Sequence, residues 1–314
     1  MPTLSRSMRL ALALLFFAAV PLQARAQSTL TLAERLGYAP DAKLLIVHAD
    51  DIGVSHSVNR ASFDALKSGA VSSGSIMVPC PWFPEAAALA RENPDLDLGL
   101  HLTLTAEWEY YRWDAVLPRD QVPTLHDSLG FLHASGNAMA QVDPAEAERE
   151  IRAQVERAIA FGVHPTHLDS HMGTLYARPE LFQALLRTGR DYGLPVFLPR
   201  AALSAAPRLA ERLPSDVILI DRYFMAPPGT QPDELAAFYT KILESLEPGV
   251  TELIVHLAYD DAEMQAVTTG QSDYGAAWRQ RDYDFVTSAA FRDLLARNDI
   301  HLITWREIKN LLPN

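Results

Sequence analysis

The sequence predicts an α/β protein: a distorted (β/α) barrel of seven or eight mostly parallel strands. Three observations carry that expectation. Short apolar runs alternate with stretches of helical spacing along the whole chain, the pattern of strands joined by helical crossovers. The strand-like runs are apolar on both faces, as in Lys43-Leu-Leu-Ile-Val-His-Ala49, which suits a sheet covered by helices. Charged and imidazole side chains recur where such runs stop: Asp50, Asp51, His101, His171 and His256. In barrels, the C-terminal ends of strands carry the chemistry. An open doubly wound sheet is the alternative architecture.

The elements follow in order. After the first strand, Val58 to Lys67 has helical spacing and stops at Gly69. Ala70 to Val78 reads as a strand, Pro84 to Glu92 as a short helix, and Leu96 to Leu104 as a third strand holding His101. Asp143 suits the N-cap, Pro144 the first position and Glu146 the third of a helix running to Phe161. Thr166 to Ser170 is a strand that ends in His171, and Pro179 to Tyr192 a helix closed by Gly193. Val196 to Leu198 and Val217 to Ile220 are two further strands, Glu234 to Leu246 a helix, and Glu252 to Leu257 a strand holding His256. A helix near Phe285 to Arg297, a strand at Ile300 to Thr304 and a short last helix complete the chain.

Residues 1–26 read as a secretory signal peptide: Arg6 and Arg9, an apolar stretch from Leu10 to Val20, then Ala24-Arg25-Ala26. That leaves 27–314 as one domain, exported to the periplasm or beyond. No later stretch is apolar and long enough to span a bilayer. Losing three arginines with the leader takes the formal net charge from −12 to −15, which argues against nucleic acid as a partner. Cys80 is the single cysteine, so no intrachain disulfide forms.

One carboxylate and two imidazoles from three strands make a facial set of metal ligands, and Asp51, His101 and His171 are the candidates. The set suits zinc, while a carboxylate with waters also suits magnesium. In His167-Leu-Asp-Ser-His171, alternation puts His167, Asp169 and His171 on one face. Asp169 or His167 is therefore expected to orient His171. Arg200 either binds substrate or forms a structural ion pair. Two long connections, Ala106 to Val142 and Tyr259 to Asp284, are rich in aromatics. Trp108 and Trp278 either cap the core or present faces to sugar rings.

The segments His48-Ala-Asp-Asp-Ile-Gly53, Gly99-Leu-His-Leu-Thr103 and Pro165-Thr-His-Leu-Asp-Ser-His171 resemble the signatures of the YdjC-like carbohydrate deacetylases. That family includes chitooligosaccharide deacetylases and is related to the NodB-type polysaccharide deacetylases. The likeness runs in order from about Leu44 to the C-terminus. It implies a distorted barrel, a divalent metal, and hydrolysis of an N-acetyl group on an amino sugar or short oligosaccharide. It also implies Asp51, His101 and His171 as ligands, Asp50 as general base and His256 as general acid; the mechanism expected from these roles has His256 act as an imidazolium. Family members commonly carry Asn where His48 stands, Phe where Ile52 stands, and Pro-Gly where Leu257-Ala258 follows His256. A phosphoesterase or isomerase on the same barrel, or an inactive sugar-binding relative, is the rival reading.

Overall fold

The longest strand organises the sheet. In the computed structural model, which describes residues 30–205, 213–214 and 217–313, β1 spans Lys43–Ile52. The expected leader lies outside the described residues. Among the described residues six other strands follow: β2 Ser73–Ile76, β3 Leu98–Leu102, β4 Leu168–Ser170, β5 Arg222–Met225, β6 Gly249–His256 and β7 Ile300–Leu302. Every pairing is parallel, in the order β4-β3-β2-β1-β6-β5, with β7 beside the first half of β1. The β1–β6 ladder is unbroken from Lys43↔Gly249 to Asp50↔His256.

The remaining side is closed by backbone contacts shorter than strands. Val196 bridges Leu168 of β4, and Pro199 bridges Ile220. Asp221 N then donates to Val250 O of β6. The expected strands at Val196–Leu198 and Val217–Ile220 thus survive only as bridges, and the regular strand starts later, at Arg222. The result is the curled, distorted parallel barrel that the alternation predicted, not an open doubly wound sheet.

Period-two alternation sorts β1 between two cores. Leu45, Val47 and Ala49 join the large cluster under the outer helices. Leu44 and Ile46 join a smaller one with Val250, Ile254, Phe197, Ile220 and Trp305. That inner filling is sealed by Leu32 and Ala33 of α1 (Leu32–Arg35) and Ile308 of the last helix (Trp305–Lys309). His48, which shares the inner face with Leu44 and Ile46, is fully buried.

The outer helices include α2 (His56–Lys67), α3 (Phe83–Glu92), α4 (Pro144–Ala160) and α5 (Pro179–Tyr192). Gly193 ends α5 with φ +63°, the left-handed conformation that glycine takes at no cost. The helix expected near Phe285–Arg297 is found at Ala289–Arg297, where Ser288 caps it by accepting from Phe291 N, and a separate helix, Ala276–Val286, occupies part of the expected connection before it. On α4, Glu146, Glu150 and Gln154 lie one turn apart on one face. Glu146 accepts from Thr124 N, Glu150 from Val116 N and Leu117 N, and Gln154 brackets the backbone of Thr103. One helix thereby holds the long connection after β3 in place. No helix among the described residues is long and apolar enough to cross a membrane.

Candidate metal centre and catalytic face

Neighbouring residues on a regular strand face opposite ways, so Asp50 and Asp51 should not share a side. β1 solves this with a bulge. Its ladder with β2 runs Ala49↔Gly74 and then Ile52↔Ile76, leaving two aspartates opposite Ser75 alone. Asp51 has φ +65°, a conformation that costs a non-glycine residue about 1–2 kcal/mol. Both carboxylates now turn into the C-terminal mouth of the barrel, each within 4.0 Å of His256 Nε2.

There the ligand atoms of Asp51, His101 and His171 converge. Asp51 Oδ1 lies 3.5 Å from His101 Nε2 and 3.4 Å from His171 Nδ1. All three side chains are buried, and Asp51 Oδ1 has no hydrogen-bond partner. A buried carboxylate oxygen left bare between two imidazole nitrogens fits a divalent cation, which needs that donor set.

The other nitrogen of each imidazole is held by a carboxylate. His101 Nδ1 donates to Asp169 Oδ1 at 2.7 Å, and His171 Nε2 to Glu107 Oε2 at 3.0 Å. This is the usual support behind a metal-binding histidine. It reverses part of the sequence expectation: Asp169 orients His101, and His171 is oriented by Glu107. β4 stops at Ser170, and Met172 and Gly173 adopt left-handed backbone, so His171 leaves the face it would share on a longer strand. His167 does not reach His171 either. It is fully buried, stacked on Trp305 at 4.9 Å, and fits only because residue 99 is glycine: a Cβ there would lie 2.3 Å from its ring.

Charge follows this geometry. Burial alone would raise the pKa of Asp51, yet Arg279 and the histidines hold it well below the usual carboxylate range. Burial would lower His171, but Glu107 and Asp51 raise it to about 10. His101 is likewise raised against burial by Asp50 and Asp169. His256 goes the other way: burial lowers it to about 4, with Arg279 adding to the effect and the aspartates only partly opposing it.

Arg279, which sequence reasoning did not single out for the site, donates from Nη2 to Asp51 Oδ2 at 2.7 Å. It is 2% exposed, donates from Nε to Tyr274 O, and lies over the Trp108 ring. Trp108 and Trp278 are themselves buried, so neither presents an open face to a sugar; Trp278 packs on Tyr274, which packs on His256. Tyr110, in the same connection as Trp108, is exposed instead. Arg200 pairs with Asp221 at 2.8 Å, the structural one of its two expected roles.

A curled parallel barrel with a carboxylate–bis-imidazole cluster at its mouth, flanked by a second carboxylate and a third imidazole, is a recognisable class of catalytic scaffold. The chain belongs to the YdjC-like protein family, whose model matches residues 44–297. It is 33% identical over 287 residues to a carbohydrate deacetylase of Thermus thermophilus, covering 90% of this chain and 99% of that protein. A carbohydrate deacetylase of Brevibacillus brevis is 31% identical over 265 residues, covering 84% and 99%. A crystal structure of a candidate cellobiose-phosphate cleavage protein from Enterococcus faecalis superimposes with a TM-score of 0.71 at 27% identity, covering 85% of this chain and 99% of that one.

Proposed function

We propose that the protein is a metal-dependent hydrolase that removes N-acetyl groups from amino sugars or short acetylated oligosaccharides and releases acetate. The observation that carries this reading is the partnerless Asp51 Oδ1 facing two imidazole nitrogens, with Asp50 and His256 at its side. The relatives named as carbohydrate deacetylases support the substrate class. A zinc or magnesium ion held by Asp51, His101 and His171 would supply Lewis acidity toward the acetamide carbonyl and its attacking water.

The chain's own groups handle the proton. His256, held neutral by burial, starts with no proton to give. Asp50, which the family resemblance implies as the base, takes the proton of the attacking water. His256 Nε2 stands 4.0 Å from Asp50 Oδ2, a gap that one water spans, so that proton passes to His256 and on to the departing amine as the C–N bond breaks. This order replaces the expectation that His256 begins as an imidazolium. Export through the signal peptide remains part of the proposal and would bring the enzyme to sugars outside the cytoplasm.

Acetate release from N-acetylated chito-oligosaccharides by the metal-loaded protein tests the reading. Asp50→Asn should keep the metal and lose at least about a hundredfold in turnover. Turnover near wild type in that variant, or no acetate from any acetylated sugar offered to the metal-loaded wild type, would overturn it.

A further inference from the structure

Beneath the metal cluster, His48 sits on the inner face of β1 with no exposure to solvent. Its Nδ1 has no hydrogen-bond partner. Its Nε2 faces three oxygens instead: Asp50 Oδ1 at 3.1 Å, Asp169 Oδ2 at 3.2 Å and Ser75 Oγ at 3.1 Å. Its hydrogen bond is to Ser75 Oγ, and two carboxylates stand at ion-pair distance, so this nitrogen carries the proton that faces all three. An imidazole placed merely to fill space does not leave one nitrogen bare and crowd the other. The two carboxylates have separate tasks at the mouth: Asp50 stands beside His256, and Asp169 grips His101 Nδ1 with its other oxygen.

We infer that His48 is a positioning residue that fixes Asp50 and Asp169 through a single ring nitrogen, tying the orientation of the base to that of the metal-facing His101. This rests on the roles given to Asp50 and His101 under the proposed function. The geometry supports the tie because the two links are nearly equal in length and share one donor. Asp169 cannot turn away from His48 without moving the oxygen that aims His101. Asp50 Oδ1 has two other neighbours on that side, Ser75 Oγ at 3.4 Å and His101 Nδ1 at 3.8 Å, and both are longer contacts than the one to His48. Neighbouring strands bring the pairs together: His48 lies opposite Ser73 across β1–β2, and His101 opposite Asp169 across β3–β4.

The test uses the full-length protein with zinc or magnesium as the probe and two readouts, metal affinity by calorimetry and steady-state acetate release. His48→Leu removes the donor. It should weaken metal binding by about 10–100-fold, as loss of a carboxylate–histidine support does. It should also lower kcat by about tenfold or more with KM nearly unchanged, because the base is misaimed and the substrate pocket is not. His48→Gln, whose amide nitrogen reaches as far as Nε2, should recover most of both. On metal affinity, His48→Leu combined with Asp169→Asn should cost little more than Asp169→Asn alone, since one acts through the other. Two results would sink the inference. One is metal affinity unchanged in a folded His48→Leu protein while kcat alone falls. The other is full additivity with Asp169→Asn. Absence of acetate release from the metal-loaded wild type would instead strike the proposed function, and the affinity cycle would still decide whether His48 acts on His101.

Discussion

Loading the cluster with a metal should release a proton, and the structure says how strongly pH must govern the event. His171 faces Asp51 through the nitrogen proposed to bind the ion, and its pKa is raised to about 10. At neutral pH that imidazole is protonated and sits where a cation belongs. Ligation requires the neutral ring, so the ion must displace the proton. At pH 7 the displacement spans about three pH units, or roughly 4 kcal/mol at about 1.36 kcal/mol per unit. Apparent affinity should therefore rise about tenfold per pH unit from 6 to 9, and more steeply if His101, also raised, gives up a proton too. Calorimetric titration of EDTA-stripped protein in buffers of different ionisation enthalpy counts the protons directly. Heats that do not depend on the buffer, with an affinity flat between pH 6 and 9, would refute the reasoning.

Other outcomes follow from the same contacts. His256 has its pKa lowered from 6.5 to about 4, so the unfolded chain binds its proton more readily within that window. The stability it contributes is present above 6.5 and lost as pH falls through 4, at up to about 1.36 kcal/mol per unit. Glu252 and Asp282, raised by burial to about 8 and about 7, tilt stability the opposite way over the same range, so the slope is read as the difference in urea-unfolding stability between stripped wild type and His256→Gln. Arg279→Met keeps the packing on Trp108 but leaves Asp51 without its 2.7 Å partner, which should destabilise stripped protein by about 3–5 kcal/mol. Thermal unfolding of stripped and loaded protein checks this, and added metal should recover much of the loss. Gly99→Ala drives a methyl into the His167 ring, so a folded variant should lose about 1–3 kcal/mol or more by chemical denaturation.

Much of the barrel is legible because its strands and helices obey simple periods. The Pro179–Tyr192 helix with its Gly193 stop is found as expected, since proline, spacing and glycine all agree there. The strand near residue 217 is misplaced because apolar content does not guarantee pairing. Val217–Ile220 offers only one bridge, while the half-exposed Arg222–Met225 forms the ladder. The cluster of Asp51, His101 and His171 is readable because strand ends converge in a barrel. Its supports are not. Glu107 and Arg279 come from long connections whose paths depend on distant contacts, such as Glu150 and Gln154 of α4 gripping the chain after β3. The partner of His171 escapes sequence reasoning for a local reason: alternation does not continue past Ser170, where the backbone turns left-handed.

The bulge in β1 has a consequence for how this mouth can vary. A smooth strand would give the opening a single tooth, and its neighbour would bite into the packing outside. The extra residue makes a double tooth, and the paired rungs with β6 from Lys43 to Asp50 keep the strand from sliding to realign it. A one-residue deletion at Asp50 or Asp51 would bring the count against β2 back to one for one and leave a single tooth. The double charge of the mouth thus rests on the length of this strand as well as on its composition.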